Sequence, residues 1–243
     1  EKILAPLQKT ADAFTAAGIS RDKIIITGLM LEPELAAETE LINAERLNRL
    51  ESGGKTTIGF YTSGAYPKIH VWQIIEAADH ILKNNLGNII ISCGTEKRHF
   101  ERFNSALGQY EPITDREQFE QGESRILLQH DPDRQGLTLQ EIDMLHRIDL
   151  AVMAAHERTN WTIGLNLPTI FLKPNIGNFS PGNHEYALEH GIVFPHKEGH
   201  ITEAIDRFIV AWRGKDEILK KPAEDYNCSG SYNAADIIIK EIE

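Results

Sequence analysis

An alternation constrains this chain more than any other feature of its sequence. From Lys55 onward, short apolar runs rich in β-branched residues take turns with longer stretches whose apolar positions recur at helical spacing. Thr57 to Tyr61, Asn88 to Ser92, Arg125 to Gln129, Leu150 to Ala154, Thr169 to Leu172 and Ile192 to Phe194 read as strands. Val71 to Leu82, Glu96 to Leu107, Leu139 to Ile148, Asn183 to His190 and Ile201 to Trp212 read as helices. Strands that each feed a helix return to their sheet in parallel. The pattern therefore predicts an α/β fold, a parallel sheet with helices on both faces. Ligands of such sheets bind beyond the carboxyl ends of the strands, so function is sought in the loops that follow strands.

Upstream, Ile24 to Thr27 reads as one further buried strand, closed by Gly28. Leu35 to Leu50 has helical spacing and runs into Glu51-Ser52-Gly53-Gly54, whose paired glycines can stop a helix and open a linker. The expected division is residues 1–50 as the end of one domain with its linker, 51–214 as the sheet domain, and 215–243 as C-terminal helices. In the last part, Ser231 to Ile242 reads as a capped helix with an apolar stripe of Ala234, Ala235, Ile238 and Ile242. Gly108 to Ser124, with Pro112, Gly122 and many charges, breaks the rhythm and reads as a surface excursion or a short lid.

Composition narrows the partners. The 243 residues are 41 % apolar and 25 % charged, in the range of folded globular chains. With 36 acidic and 25 basic side chains the formal net charge is -11, which repels nucleic acid and anionic membrane surfaces, and no local basic patch offsets it. Cys93 and Cys228 make neither a disulfide framework nor a zinc spacing, which fits a reducing compartment, and the cytoplasm is the expected location. No run is long and apolar enough for a membrane span, and Glu1-Lys2-Ile3-Leu4 lacks a signal-peptide pattern. The first residue is not methionine, so the chain reads as a piece of a longer protein.

Five loops follow strands. Thr62-Ser63-Gly64-Ala65-Tyr66-Pro67 is either an ordinary tight turn or a place where backbone amides approach a phosphate. Ser92-Cys93-Gly94-Thr95 is a similar turn, with Thr95 as the expected cap of the next helix and Cys93 as packing. His130-Asp131-Pro132-Asp133 reads as a polar turn. His156-Glu157-Arg158-Thr159-Asn160 opens a short helix, where free amides and the side chains of His156, Arg158, Thr159 and Asn160 suit an anion, or it is a capped helix with solvated charges. Lys173 to Gly182 is rich in Gly, Pro and Asn and leads into Asn183, His184 and Glu185; these three can recognise sugar hydroxyls, or His184 and Glu185 can pair with each other. The ten histidines are scattered, and neither a His-Glu-x-x-His helix nor a dense carboxylate loop is present, so no metal is expected.

The order of these pieces resembles the Rossmann-like carboxyl-terminal domain of GT-B glycosyltransferases. It is most similar to the group of the peptidoglycan N-acetylglucosaminyltransferase and the galactosyldiacylglycerol synthases. The resemblance rests on Asp149 to Met153, the turn His156 to Asn160, the proline-led strand Leu165 to Pro174, and Tyr186-Ala187-Leu188-Glu189-His190-Gly191. Thr10 to Phe14, Gly18-Ile19, Lys23 to Gly28 and Pro33 resemble the end of the acceptor domain, and Ser229 to Ile242 the terminal helix. Two positions depart from the family pattern: Trp161 stands near the place of a ribose-holding glutamate, and Gly182-Asn183 in place of Asp-Gln.

The resemblance implies transfer of a sugar from a nucleoside-diphosphate sugar, with a UDP-sugar as the expected donor, to an acceptor hydroxyl. It implies no separate cofactor. It places Ser63, Gly64, His156, Thr159 and Asn160 at the diphosphate and Asn183, His184 and Glu185 at the sugar. The general base would lie on a missing amino-terminal domain, so no catalytic residue is assigned here. Two alternatives share the fold: a nucleotide-sugar epimerase or hydrolase, and a degenerate binding domain without catalysis.

Overall fold

The computed structural model describes residues 2–220 and 227–242. In chain order the elements are β1 (Ile3–Ala5), α1 (Gln8–Ala16), β2 (Ile24–Ile26), α2 (Pro33–Ser52), β3 (Thr56–Tyr61), α3 (Lys68–Lys83), β4 (Gly87–Ser92), α4 (Lys97–Leu107), α5 (Arg116–Gln121), β5 (Ile126–Gln129), α6 (Arg134–Met144), β6 (Leu150–Met153), α7 (Thr159–Gly164), β7 (Thr169–Phe171), α8 (Ser180–His190), α9 (Ile201–Gly214) and α10 (Gly230–Ile242).

Five strands form one parallel sheet in the order β5-β4-β3-β6-β7. The chain builds outward from β3 to β5, then crosses back to lay β6 on the other side of β3. The reversal falls between β3 and β6, where Ile58 pairs with Leu150 and Tyr61 with Met153. At such a reversal the two flanking loops diverge to opposite faces and leave a crevice at the carboxyl edge.

Side chains alternate along each strand between two cores. Ile58 and Phe60, Ile89 and Ile91, Leu150 and Val152 face one side with Val71, Phe103 and Phe208. Tyr61, Ile90, Ala151 and Met153 face the other, with Leu35 and Ile42 of α2, Ile142 of α6 and Trp161 of α7. This period of two is the geometry of a pleated strand covered on both faces. At Gly59 the second face is so close that an added Cβ would lie 2.6 Å from Ile148 Cδ1.

Two expectations need correction, and a third, left open between two readings, is decided. Ile192 to Phe194 is not a sixth strand: only one bridge forms, Val193 to Thr169, and Pro195 follows without an amide to extend the pairing. Thr95 is not the helix cap, because α4 starts one residue later with Glu96 at the N-cap and no side-chain cap bond. Of the two readings of Gly108–Ser124, the structure shows the surface excursion. It lies along the outer edge of β5, where Leu128 donates its amide to Ile113 O at 2.9 Å, and Phe119 of α5 is buried in the second core. The His130–Asp133 turn is as the sequence implies, with Asp133 capping α6 by accepting from the Gly136 amide at 2.8 Å.

Helix α2, read from sequence as leading into a linker, shares the second core through Leu35 and Ile42. Its Arg49 donates to Asp149 Oδ1 at 2.8 Å and to His146 O at 2.7 Å. The parallel pair β1-β2 forms a separate small sheet packed on α1 through Ala5, Ala11 and Ile24. Helix α10 returns to this amino-terminal unit. Ser229 bridges Met30 in antiparallel fashion, the Gly230 amide donates to Leu29 O at 3.0 Å, and Asn233 donates to Thr27 O at 2.7 Å. The apolar stripe expected on α10 is open rather than buried: Ile238 and Ile239 are exposed.

Two outcomes follow from this packing. Gly230 touches backbone, since an added Cβ would lie 2.3 Å from Gly28 O and 2.6 Å from Leu29 O, whereas Gly108 faces open space. Gly230→Ala should lower stability by about 2 kcal/mol and Gly108→Ala by less than about 0.5 kcal/mol in denaturant titrations. His146 receives carboxylates of α2 on both ring nitrogens, Glu45 at 2.7 Å and Glu38 at 2.8 Å. Burial opposes its charge, yet the two glutamates outweigh it and raise the imidazole above its ordinary value of 6.5. A raised folded-state value means a contribution fully present below 6.5 and lost as pH rises through the raised value. The stability difference between wild type and His146→Gln should therefore shrink on going from acid to alkaline pH; a difference that grows would overturn the assignment.

Candidate functional site

The carboxyl edge of the sheet holds two adjoining clefts that share Glu157. The narrower, about 80 Å³, sits over the reversal between β3 and β6 and is lined by Thr62, Gly64, Tyr66, Thr95, Arg134 and Arg158. The wider, about 360 Å³, lies between the amino-terminal unit and the sheet domain. Lys9, Thr10 and Leu29 form one wall; His156, Thr159, Asn160 and Asn183 form the other.

The turn after β6 is held from several sides. The His156 amide donates to Ala154 O at 2.8 Å, and the Thr159 amide to His156 O at 3.0 Å. Asn183, at the start of α8, donates its side-chain amide to Ala155 O at 3.2 Å and His156 O at 3.4 Å. Asn160 donates to Met30 O at 3.0 Å and so ties the turn to the amino-terminal unit. Gly64 and Glu157 are exposed at the clefts they line, and Arg158 is half-buried. The hydroxyls of Thr62 and Thr159 are buried without a partner. Buried donors normally find acceptors, so these hydroxyls are suited to an oxyanion.

Arg158 does not reach outward as the sequence suggests. Its guanidinium turns inward, donates to Glu141 at 2.6 Å and lies over the rings of Tyr61 and Trp161 at 5.4 and 5.3 Å. Glu141 is itself buried and also accepts from the Ser92 hydroxyl at 2.5 Å. Burial opposes the charge on Arg158, but the Glu141 carboxylate more than offsets it and keeps the guanidinium above its ordinary value. The cation thus stands at the narrow cleft, fixed and paired by Glu141. Trp161 is a core residue, its indole N–H donating to Glu32 at 3.1 Å.

The eight residues read from the sequence divide by position. Gly64 lines the narrow cleft, and Ser63 precedes it with its carbonyl accepting from the Tyr66 amide at 2.9 Å. His156, Thr159, Asn160 and Asn183 meet on one wall of the wide cleft. His184 lies behind that wall, buried against Phe171 with its Nδ1 accepting from Asn175 at 3.1 Å. Glu185 is exposed on the outer side of α8 and makes no pair with His184. Residues the sequence did not single out are Thr62, Arg134 and Glu141 at the narrow cleft and Lys9 at the wide one; Lys9 lies 5.3 Å from the Tyr186 ring.

The doubly wound sheet, its crevice at the β3–β6 reversal and a C-terminal helix that returns to the amino-terminal unit define a GT-B-type Rossmann-like fold. No family model matches the sequence, and no curated protein matches it. Solved structures do. The chain superposes on Staphylococcus aureus MnaA, solved with UDP, with a TM-score of 0.63 at 13 % identity, covering 98 % of this chain and 58 % of that one. For the UDP-GlcNAc 2-epimerase of Neisseria meningitidis bound to UDP-GlcNAc the values are 0.55, 13 %, 98 % and 61 %. For WaaG, a glycosyltransferase of lipopolysaccharide biosynthesis, they are 0.52, 16 %, 98 % and 62 %. The chain thus spans about three fifths of the length of these structures. No helix among the described residues is long and apolar enough to cross a membrane.

The Arg158–Glu141 pair lines the narrow cleft, and removing one partner strands a buried charge. Glu141→Ala should cost about 3 kcal/mol in denaturant unfolding, and Glu141→Ala with Arg158→Met clearly less. A double variant that costs the sum of Glu141→Ala and Arg158→Met would show that the pair is not coupled.

Proposed function

We propose that this protein binds a nucleoside-diphosphate sugar along the two clefts and is the donor-binding portion of a glycosyltransferase that moves the sugar from a UDP-sugar to an acceptor hydroxyl. The observation that carries this reading is the pair of buried, unpartnered hydroxyls at the β3–β6 crevice, Thr62 and Thr159. Fixed donors in a partly dry crevice bind a diphosphate and stabilise the charge it gathers as the sugar departs, without reorganising at that moment. Arg158, held by Glu141 below the same turn, stiffens the floor of the crevice. In this reading Ser63, Gly64, His156, Thr159 and Asn160 serve the diphosphate side, and Asn183 orders the turn they stand on. The general base for the acceptor belongs to a further domain facing the wide cleft, and the chain's span of about three fifths of its structural neighbours supports that division.

A second reading, a nucleotide-sugar epimerase, is favoured by one observation: the fold superposes on a UDP-GlcNAc 2-epimerase at a TM-score of 0.55 as well as on a glycosyltransferase at 0.52. Product analysis of the full-length protein with donor but no acceptor separates the two, because only an epimerase changes the sugar without one.

The first test is binding. UDP should raise the melting temperature of the full-length protein by mass action, more than GDP, CDP or TDP does. Thr159→Val, which removes the unpartnered hydroxyl at nearly constant volume, should weaken UDP binding about tenfold. If no nucleoside diphosphate shifts the melting temperature at millimolar concentration, the donor-site reading is wrong.

A further inference from the structure

The two walls of the wide cleft differ in charge. On the sheet-domain wall, the turn after β6 brings Glu157, an exposed carboxylate, to the cleft beside His156, Thr159 and Asn160. The arginine of that turn is turned elsewhere: Arg158 lines the narrow cleft rather than the wide one, and its guanidinium is bonded to Glu141 at 2.6 Å. A diphosphate laid on this wall meets a carboxylate and neither lysine nor arginine.

The opposite wall supplies the cation. Lys9 stands in the first turn of α1, in the amino-terminal unit, and among the described residues that line the wide cleft it is the one lysine or arginine. Its side chain is more than half exposed, so the ammonium is accessible to whatever enters. In the structure it reaches across to α8, with Nζ 3.4 Å from Glu189 Oε2 and 5.3 Å from the Tyr186 ring. Tyr186 lines the wide cleft, and Glu189 follows it on the same face of the helix, so the ammonium rests at the rim. The hold is light. Both partners are exposed, the separation is long for an ion pair, and exposed pairs of flexible side chains contribute little. A lysine ammonium is a point charge on a flexible aliphatic stem, and rotations of that stem alone carry it from one anion to a neighbouring one.

We propose that Lys9 is the cation that pairs with the diphosphate of the nucleotide sugar, leaving Glu189 when the ligand enters the wide cleft and meeting a phosphate oxygen held on the opposite wall by the turn after β6. The inference rests on the donor-cleft reading above and adds to it a binding residue from the other body. A diphosphate carries more negative charge than one carboxylate and lies in a cleft partly closed to water, so the new pair is stronger than the exposed pair it replaces. As the sugar departs, further charge gathers on the diphosphate, and an ammonium already in place stabilises it. The exchange also couples binding to shape: a diphosphate bonded to Lys9 on one side and to the turn on the other ties the amino-terminal unit to the sheet domain.

The test is calorimetric titration of the full-length protein with UDP at low and high salt. Lys9→Gln should weaken UDP binding about tenfold, whereas Lys9→Arg, which keeps the charge, should stay within about threefold of wild type. The loss in Lys9→Gln should narrow as salt rises, because the interaction removed is ionic. Glu189→Gln distinguishes a ligand contact from a mere tie between the two bodies: it releases Lys9 without removing its charge, so UDP should bind at least as tightly as to wild type. The role of Lys9 is overturned, with the donor cleft left standing, if Lys9→Gln binds UDP within about twofold of wild type, if its loss does not change with salt, or if Glu189→Gln weakens binding as much as Lys9→Gln does. Absence of UDP binding to wild type would remove the donor-cleft reading and the role of Lys9 with it.

Discussion

The crevice exists only because β3 and β6 lie side by side in one register, and a single buried carboxylate sets that register. Asp149, fully buried one residue before β6, accepts from the Thr57 amide of β3 at 2.9 Å and from Arg49 of α2 at 2.8 Å. Burial outweighs the pull of Arg49 and the Thr57 amide and lifts its carboxyl to about 6. A slip of one residue would take the carboxylate away from both donors and would turn Leu150 and Val152 to the wrong core. The clamp stands at the amino edge of the sheet, and the loops it aligns emerge at the opposite edge. Placement of the functional turns is thus set from the far side of the sheet, with the β3–β6 ladder as the rigid link between them.

Above that ladder, the polar groups fall into two kinds. Glu141, Arg158 and Ser92 satisfy one another and make a stiff charged floor. Thr62 and Thr159 each keep an atom without a partner. A folded chain tolerates such atoms where something else supplies the partner, and here both stand at the edge of the sheet where ligands of this fold class bind. The floor holds still while the groups above it remain available.

Much of the sheet was legible because strands covered on both faces announce themselves: Ile89, Ile90 and Ile91 leave little else to read. Ile3–Ala5 was missed because three residues carry no period, and their partner strand lies 21 positions on, where Ile3 pairs with Ile24. Ile192–Phe194 was overread because a short apolar run cannot show that a proline ends its pairing after one bridge. The turn His156–Asn160 was visible as a cluster of polar residues after a strand. The direction of Arg158 was not, since its partner Glu141 sits in a helix of ordinary polar pattern 17 residues earlier. Lys9 gave no signal: between Gln8 and Thr10 it looks like one solvated charge on a helix, and only the fold brings it to Glu189, 180 residues away. His184 follows a polar loop as a ligand contact would, but its lone pair is turned to Asn175.

The chain crosses twice between the amino-terminal unit and the sheet domain. Residues 27–32 leave the unit and residues 227–229 lie beside them, and the two segments are stitched together by the Met30–Ser229 bridge and by the Leu29 amide on Asn227 O at 2.7 Å. A single strap would let the two bodies swivel in any direction. Two straps fastened side by side behave as a door hinge, which leaves one easy rotation and resists twist and slide. Lys9 and Thr10 on one leaf and Asn160 and Asn183 on the other are thereby kept in line across the wide cleft.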